Sequence, residues 1–351
     1  MPTLQPETPA WPGTKLEAFK YTNLTRLAGT ELAAARSTLH HSPKLEGVTV
    51  SSLAPALTMP VTPLTQRALA MADNGWLIEA KGEIAAPLEL NLALGEYAST
   101  APRLLIRLAA NTHLTIYEDA HAAASSLTNQ MWQIELAEGA RLCHVRLQES
   151  QDTATHLCTS AVTVGRNASY KLITLNTGAG IARYEPHITL TAPGADVNLT
   201  AINLLTETQH GDVTSVMRHA APHGTSRQLV RNVLAGNARG VYQGQIVVAP
   251  DAQKTAAQQS SKALLLSEFA EMNVKPELEI YADDVQCGHG ATIGTIDRMA
   301  LYYLKARGIP EAQARALLVS GFIAEALEGV SNDSLRLRLD QQVARFMERV
   351  V

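Results

Sequence analysis

A pattern that returns about every 28 residues limits the architectures open to this chain more than any other feature. Between about residues 100 and 205, short alternating segments flank small-residue turns that read AANT, AEGA, GRNA and APGA. With Asn111, Gly139, Asn167 and Gly194 as markers, the intervals are 28, 28 and 27 residues. Three residues after each marker stands Leu114, Leu142, Tyr170 or Val197, and five after stands Ile116, His144, Leu172 or Leu199. Alternate residues of a strand share a face, so each pair lines one side. Before the turn, Ile106/Leu108, Ile134/Leu136 and Val162/Val164 hold matching places, while the fourth unit is displaced by one residue, to Ile188/Leu190.

Two strands per unit, a period under thirty and no intervening helix describe a β-solenoid, because each coil buries its apolar face only by stacking on its neighbours. The predicted fold is mainly β: a parallel β-helix core, right-handed by the crossover rule, flanked by an N-terminal helical region and a C-terminal helical domain. A β-sandwich also has many short strands and is the competing architecture. Beyond Pro222-His223-Gly224 the register loosens, but QGQIVVAP and PELEIYAD still read as strands. The expected division is 1–74, helical or irregular; 75–294, β-helix; and 295–351, helical. Residues 42–74 are the hardest to read.

After Gly294 the apolar spacing becomes helical. Asp297 is placed to cap a helix through MALYYLKAR that ends at Gly308, and Pro310 suits the first turn of a second. A third, from near Ser334, carries Leu335, Leu339, Val343, Phe346 and Val350 on one stripe.

Composition excludes several functions. A net charge of -4 gives no basic excess for neutralising phosphates, so nucleic acid is not an expected partner. The start, MPTLQPETPAWPGTK, lacks a basic n-region followed by an apolar run, and no segment has the ~20 apolar residues of a membrane span. Three cysteines, Cys143, Cys158 and Cys287, are too few and too odd in number for a disulfide framework. A cytoplasmic location is expected. No Walker A run, nucleophile elbow or dinucleotide fingerprint occurs, which argues for a non-enzyme.

One pair could carry metal chemistry: Cys287 and His289 in DVQCGHGATIG. In an extended chain they share a face, where a thiolate and an imidazole suit a soft or borderline metal. A stable site needs about four ligands, so two of them require completion from elsewhere, and on spacing alone the pair reads first as a half-buried structural Cys and a hydrogen-bonded His at the end of the solenoid. His210, His219 and His223 fit no metal spacing and read as solvated loop residues. His144 reads as a satisfied core histidine, and Cys143 and Cys158 as structural.

Residues 274–327, VKPELEIYADDVQCGHGATIGTIDRMALYYLKARGIPEAQARALLVSGFIAEAL, closely resemble the C-terminal signature of the SufB/SufD family of iron–sulfur cluster assembly proteins. EAFKYTNL near the N-terminus resembles that family's E-x-W-[KR]-Y-T-x-L motif, with Phe19 in the Trp position. The C-G-H-G-A-T run is similar to the SufD branch. SufB subunits carry Glu where Gly290 stands and a cysteine where Ala270 stands. The resemblance implies a scaffold that pairs with SufB through the β-helix ends, docks the ATPase SufC on its helical domain, and hosts a transient iron–sulfur cluster or iron at the SufB interface. It makes His289 and Cys287 candidate interface ligands. It makes Asp297, Tyr302, Tyr303, Ile309, Pro310, Ala316, Leu317 and Phe322 the candidate SufC dock. Binding of FAD is left open, as is a homodimer in isolation. A β-helix carbohydrate-active enzyme is the alternative from another functional class.

Overall fold

The computed structural model describes residues 9–30, 32–54, 56–71, 73–93 and 97–350. From Gly75 to Thr295 the chain winds as a β-solenoid of about eight turns, its strands lying in an eleven-stranded and a nine-stranded sheet. Successive coils pair in parallel and in register. Ile78, Ile106, Ile134, Val162 and Ile188 stack as one ladder; on the other sheet Leu142, Tyr170 and Val197 do the same. Parallel pairing across every coil excludes the sandwich.

The four markers are turn residues in the left-handed region: Asn111 at φ 55, Gly139 at 67, Asn167 at 53 and Gly194 at 75, followed by His223 at 58 and Lys254 at 62. Asn and Gly are the residues that reach this conformation most readily. A Cβ on Gly139 would run into the side-chain oxygen of Asn111, and one on Gly194 into that of Asn167, so the alternation of Asn and Gly is a packing requirement. The apparent displacement at Ile188/Leu190 lies in the turn alone. Val162 pairs with Ile188 and Val164 with Leu190, and the turn that follows, from Leu190 to Asp196, is one residue longer than that from Val164 to Ser169.

Inward side chains form a continuous core that includes Ile78, Ile106, Trp132, Ile134, Leu172, Leu199, Val230 and Ile246. Each aliphatic side chain so buried contributes roughly 1.5–3 kcal/mol. The lumen is not uniformly apolar. Asn176 Nδ2 donates to Asn203 Oδ1 at 3.0 Å, and Asn203 Nδ2 to Asn232 Oδ1 at 2.7 Å, a ladder linking three coils.

The two ends differ. At the N-terminal end, Thr38–His41 pairs antiparallel with Leu88–Ala93, and Val48–Ser52 with Gly75–Ala80, so both sheets gain a closing strand. The N-terminal region is thus helical only in part: short 3-10 turns at Glu17–Phe19 and Thr25–Leu27, and helix α1, Pro63–Ala70. Thr62 caps α1 through a reciprocal exchange with Thr65, and Pro63 supplies the first helical position. At the far end, Glu271–Ile280 pairs only with Arg239–Val248, and Gln286–Thr295 only with Ala256–Leu265. Their outer edges are unpaired among the described residues.

Three C-terminal helices follow: α2, Arg298–Ala306; α3, Glu311–Leu327; and α4, Asp333–Val350. Asp297 accepts from Met299 N and Ala300 N, at 2.8 and 3.3 Å, and Gly308 at φ 85 ends the first helix. Pro310 stands at the N-cap of α3, one position before the first turn. The stripe Leu335, Leu339, Val343 and Phe346 packs on the outer face of the nine-stranded sheet, against Val145, Leu147, Ile173, Leu175, Ile202 and Leu204. Polar clamps fix the rim: Arg231 to Glu325 at 2.7 Å, Arg338 to Glu89 at 2.8 Å and Gln342 to Glu149 at 2.9 Å. Among the described residues no helix is long and apolar enough to cross a membrane.

Candidate site at the open end of the solenoid

Cys287 and His289 lie on the last strand, Gln286–Thr295, and both point to the lumen side. Cys287 registers with Ala257 and packs against the core; His289 registers with Gln259 and is exposed. Burial pushes the Cys287 thiol up, only partly offset by a hydrogen bond with the Ala257 backbone. The sulfur is therefore a thiol at rest, and a metal would have to displace its proton. Gly290 has no positive φ and open space where a Cβ would be, so nothing within this chain requires a glycine there. Around the pair the coil end shows half-buried Met272, Val274 and Leu278. Phe269 and Tyr281 are exposed, at 72% and 63%. Among the described residues no three or more His, Cys, Asp or Glu side chains converge to hold a metal, so these two donors are an incomplete set.

The eight candidate dock residues divide. Tyr302, Tyr303 and Leu317 are exposed, as are Pro310 and the neighbouring Met299. Ile309 is half-buried, and Asp297 is engaged as a cap. Ala316 and Phe322 turn inward onto the helix–sheet cluster. Helix α2 buries none of its residues, and Arg307 lies over the Tyr303 ring, 5.1 Å from its centroid.

The histidines are less uniform than the sequence suggested. His223 is an exposed turn residue. His219 is not a solvated loop residue: it faces the lumen, bonds Ser226 Oγ at 2.8 Å, and burial lowers its pKa to about 4. His210 is also not free, because its Nε2 lies 2.9 Å from Thr22 Oγ1. His144 is a satisfied core residue between Tyr170 OH and Glu118 Oε2, each at 3.2 Å.

Two buried ionic clusters escaped sequence reading. Within the lumen Glu118 pairs with Arg146 at 3.0 Å and accepts from Gln130 at 3.0 Å. Burial alone would raise the Glu118 pKa, but Arg146 and His144 together bring it to about 2. Cys158 lies in the same interior, its thiol pushed up to about 12 by burial. On the outer face Arg183 pairs with Glu185 at 2.7 Å and with Asp212, and donates to Ala18 O at 2.8 Å. Thr22 donates to the same Asp212, so the EAFKYTNL segment is pinned across the solenoid. These charges sit at positions that alternation alone assigns to solvent or to core without distinction.

A groove of about 950 Å3 opens at the opposite end, between Lys44–Thr49 and the strands carrying Arg107 and Glu135; it lies apart from Cys287 and His289.

Comparison with known proteins agrees with this geometry. Residues 92–322 match the family model of the SufBD core domain of the SUF system for FeS cluster assembly. An iron–sulfur cluster assembly SufBD family protein of Synechocystis is 34% identical over 253 residues, covering 69% of this chain and 56% of the relative. Protein ABCI7, chloroplastic, of Arabidopsis thaliana is 33% identical over 210 residues, 60% of this chain and 44% of its own. The iron–sulfur cluster assembly protein SufD of Escherichia coli is 29% identical over 248 residues, 68% and 58% of the two chains. The matches thus span about half the length of these relatives. A solenoid in register through every coil, with a family match running from its first coil into the second C-terminal helix, leaves one assignment: the chain belongs to the SufBD family of iron–sulfur cluster assembly proteins.

Proposed function

We propose that the chain is a non-catalytic scaffold subunit of a SufBCD-type assembly. Its open coil abuts SufB, its exposed α2–α3 surface docks the ATPase SufC, and a nascent cluster forms where the two solenoids meet. The observation that carries this reading is the last coil: two unpaired strand edges, half-covered apolar side chains, and Cys287 with His289 on the rim. An unprotected edge of this kind calls for a covering partner. A thiol and an imidazole suit iron, but a cluster takes about four ligands, so the remainder come from SufB. The cluster is cargo, built and passed on. The exposed Tyr302, Tyr303 and Leu317 give SufC an aromatic and aliphatic surface of the kind that anchors interfaces. The proposed compartment is the cytoplasm, where the free cysteines stay reduced.

The test is co-expression of the full chain with SufB and SufC. His289→Ala should leave the complex and its melting temperature intact and abolish cluster absorbance; Cys287→Ala should do less harm. Tyr302→Ala with Tyr303→Ala should lose SufC and keep SufB. Normal cluster formation by His289→Ala removes the ligand role. A wild-type chain that ignores SufB and pairs only with itself makes the assembly a homodimer instead.

A further inference from the structure

The coil beneath His289 holds an acceptor without a donor. Gln259 registers directly with His289 on the neighbouring strand and is 3% exposed. Its Nε2 donates across the lumen to Gly244 O at 3.1 Å, which fixes the amide, while its Oε1 is buried with no hydrogen-bond partner. Leaving such a group unsatisfied is unfavourable, and native interiors rarely do so. One coil further in, Gln228 faces the same column, and its oxygen is engaged by Ser215 Oγ at 2.7 Å. Gln228 Nε2 also lacks a partner. Even if Gln228 takes one lone pair of Gln259 Oε1, a second remains, because an amide oxygen accepts twice.

We propose that Gln259 is a positioning residue for His289: its side-chain oxygen accepts a hydrogen bond from one ring N–H of His289 and turns the other ring nitrogen, as a lone pair, toward the coil end. Adjacent rungs lie about 4.8 Å apart, within reach of a glutamine and an imidazole that share a face. Orientation of a metal-binding histidine by a carbonyl on its other nitrogen fixes the tautomer and raises the basicity of the free nitrogen. The second half of the proposal rests on His289 being a ligand, as argued above; the first half does not.

The experiment uses the full chain with 15N-labelled histidine rings and reads the tautomer of His289 by ring 15N–1H correlation, then titrates Co2+ as the probe metal. Wild type should show one tautomer. Gln259→Met, close in volume but without the acceptor, should show both tautomers in exchange and bind Co2+ about 10–100-fold more weakly. Gln259→Glu, read at alkaline pH where the carboxyl is ionised and the ring neutral, keeps an acceptor oxygen but has no donor for Gly244 O, so it should restore the single tautomer; this separates loss of the acceptor from loss of that structural bond. A single tautomer persisting in Gln259→Met overturns the proposal, as does a wild-type ring that samples both. A lost tautomer lock with unchanged Co2+ affinity keeps Gln259 as the positioning residue and removes the ligand role of His289.

Discussion

Arg146 Nη2 stands 2.7 Å from His156 Nε2 inside the closed lumen, so the ring accepts from the guanidinium and is held neutral. Burial, reinforced by the Arg146 charge, lowers the His156 pKa to about 3, and burial lowers that of His219 to about 4. An unfolded imidazole takes its proton near pH ~6.5. The unfolded chain therefore binds more protons below that pH, and stability falls as the solution is acidified from about 6.5 toward 4 and then 3. Each such group costs up to about 1.4 kcal/mol per pH unit. His156→Gln keeps an acceptor for Arg146 and removes the titration. Its melting temperature should fall less steeply between pH 6.5 and 4 than wild type's, and equal slopes by calorimetry would sink this account.

Phe19 lies under the Arg183 guanidinium, 4.2 Å from ring centroid to charge, and is almost wholly buried. Phe19→Ala should cost about 3–5 kcal/mol. It should also free the pinned N-terminal segment, so that trypsin cuts after Lys20 well before the solenoid unfolds. Unchanged resistance at Lys20 would mean that the Arg183–Asp212–Thr22 contacts hold the segment without the ring.

At Gly194 the backbone is left-handed, and a Cβ would meet the Asn167 amide one coil below. Gly194→Ala should destabilise by about 1–2 kcal/mol from conformation alone, plus the cost of displacing that amide. Combining it with Asn167→Gly should recover the second part only. The measurement is a double-mutant cycle in denaturant, and strict additivity would show that the two turns do not touch.

Leu339 and Tyr302 separate the buried face of the helical domain from its free one. Leu339→Ala should lower stability by about 2–5 kcal/mol, because the side chain is fully buried against the sheet. Tyr302→Ala, at an exposed position, should stay within about 0.5 kcal/mol. A large loss at Tyr302 would place it in an internal contact.

The solenoid was legible because its turns demand a left-handed residue, and Asn111, Gly139, Asn167 and Gly194 advertise that demand at a fixed interval. The helix signals Asp297 and Gly308 were equally local, and they hold. The closing strands Thr38–His41 and Val48–Ser52 were not legible, since they are short, mostly exposed and paired to distant residues. The Glu118–Arg146–His156 cluster was hidden for another reason. Alternation marks which residues share a face, but charged residues on an inward face look like a break in the pattern until the partner on another coil is known. One signal was available and unused: Val145, Leu147, Ile173 and Leu175 make the outward face apolar too, which required a cover such as α4. At the candidate site, sequence spacing brought Cys287 and His289 to one face, whereas Gln259 came into view only through the register of the sheet.

The closing strands at the N-terminal end also limit how many molecules can stack. A β-helix with two bare ends would be a monomer for a filament, since each added coil would present the edge that recruits the next. Here Thr38–His41 and Val48–Ser52 turn antiparallel across one end, so the edges there are four and five residues long, against ten residues each on Glu271–Ile280 and Gln286–Thr295. A head-to-tail contact would set long edges against short ones, whereas the long edges of two solenoids match each other, so the geometry favours a closed end-to-end pair over an open stack.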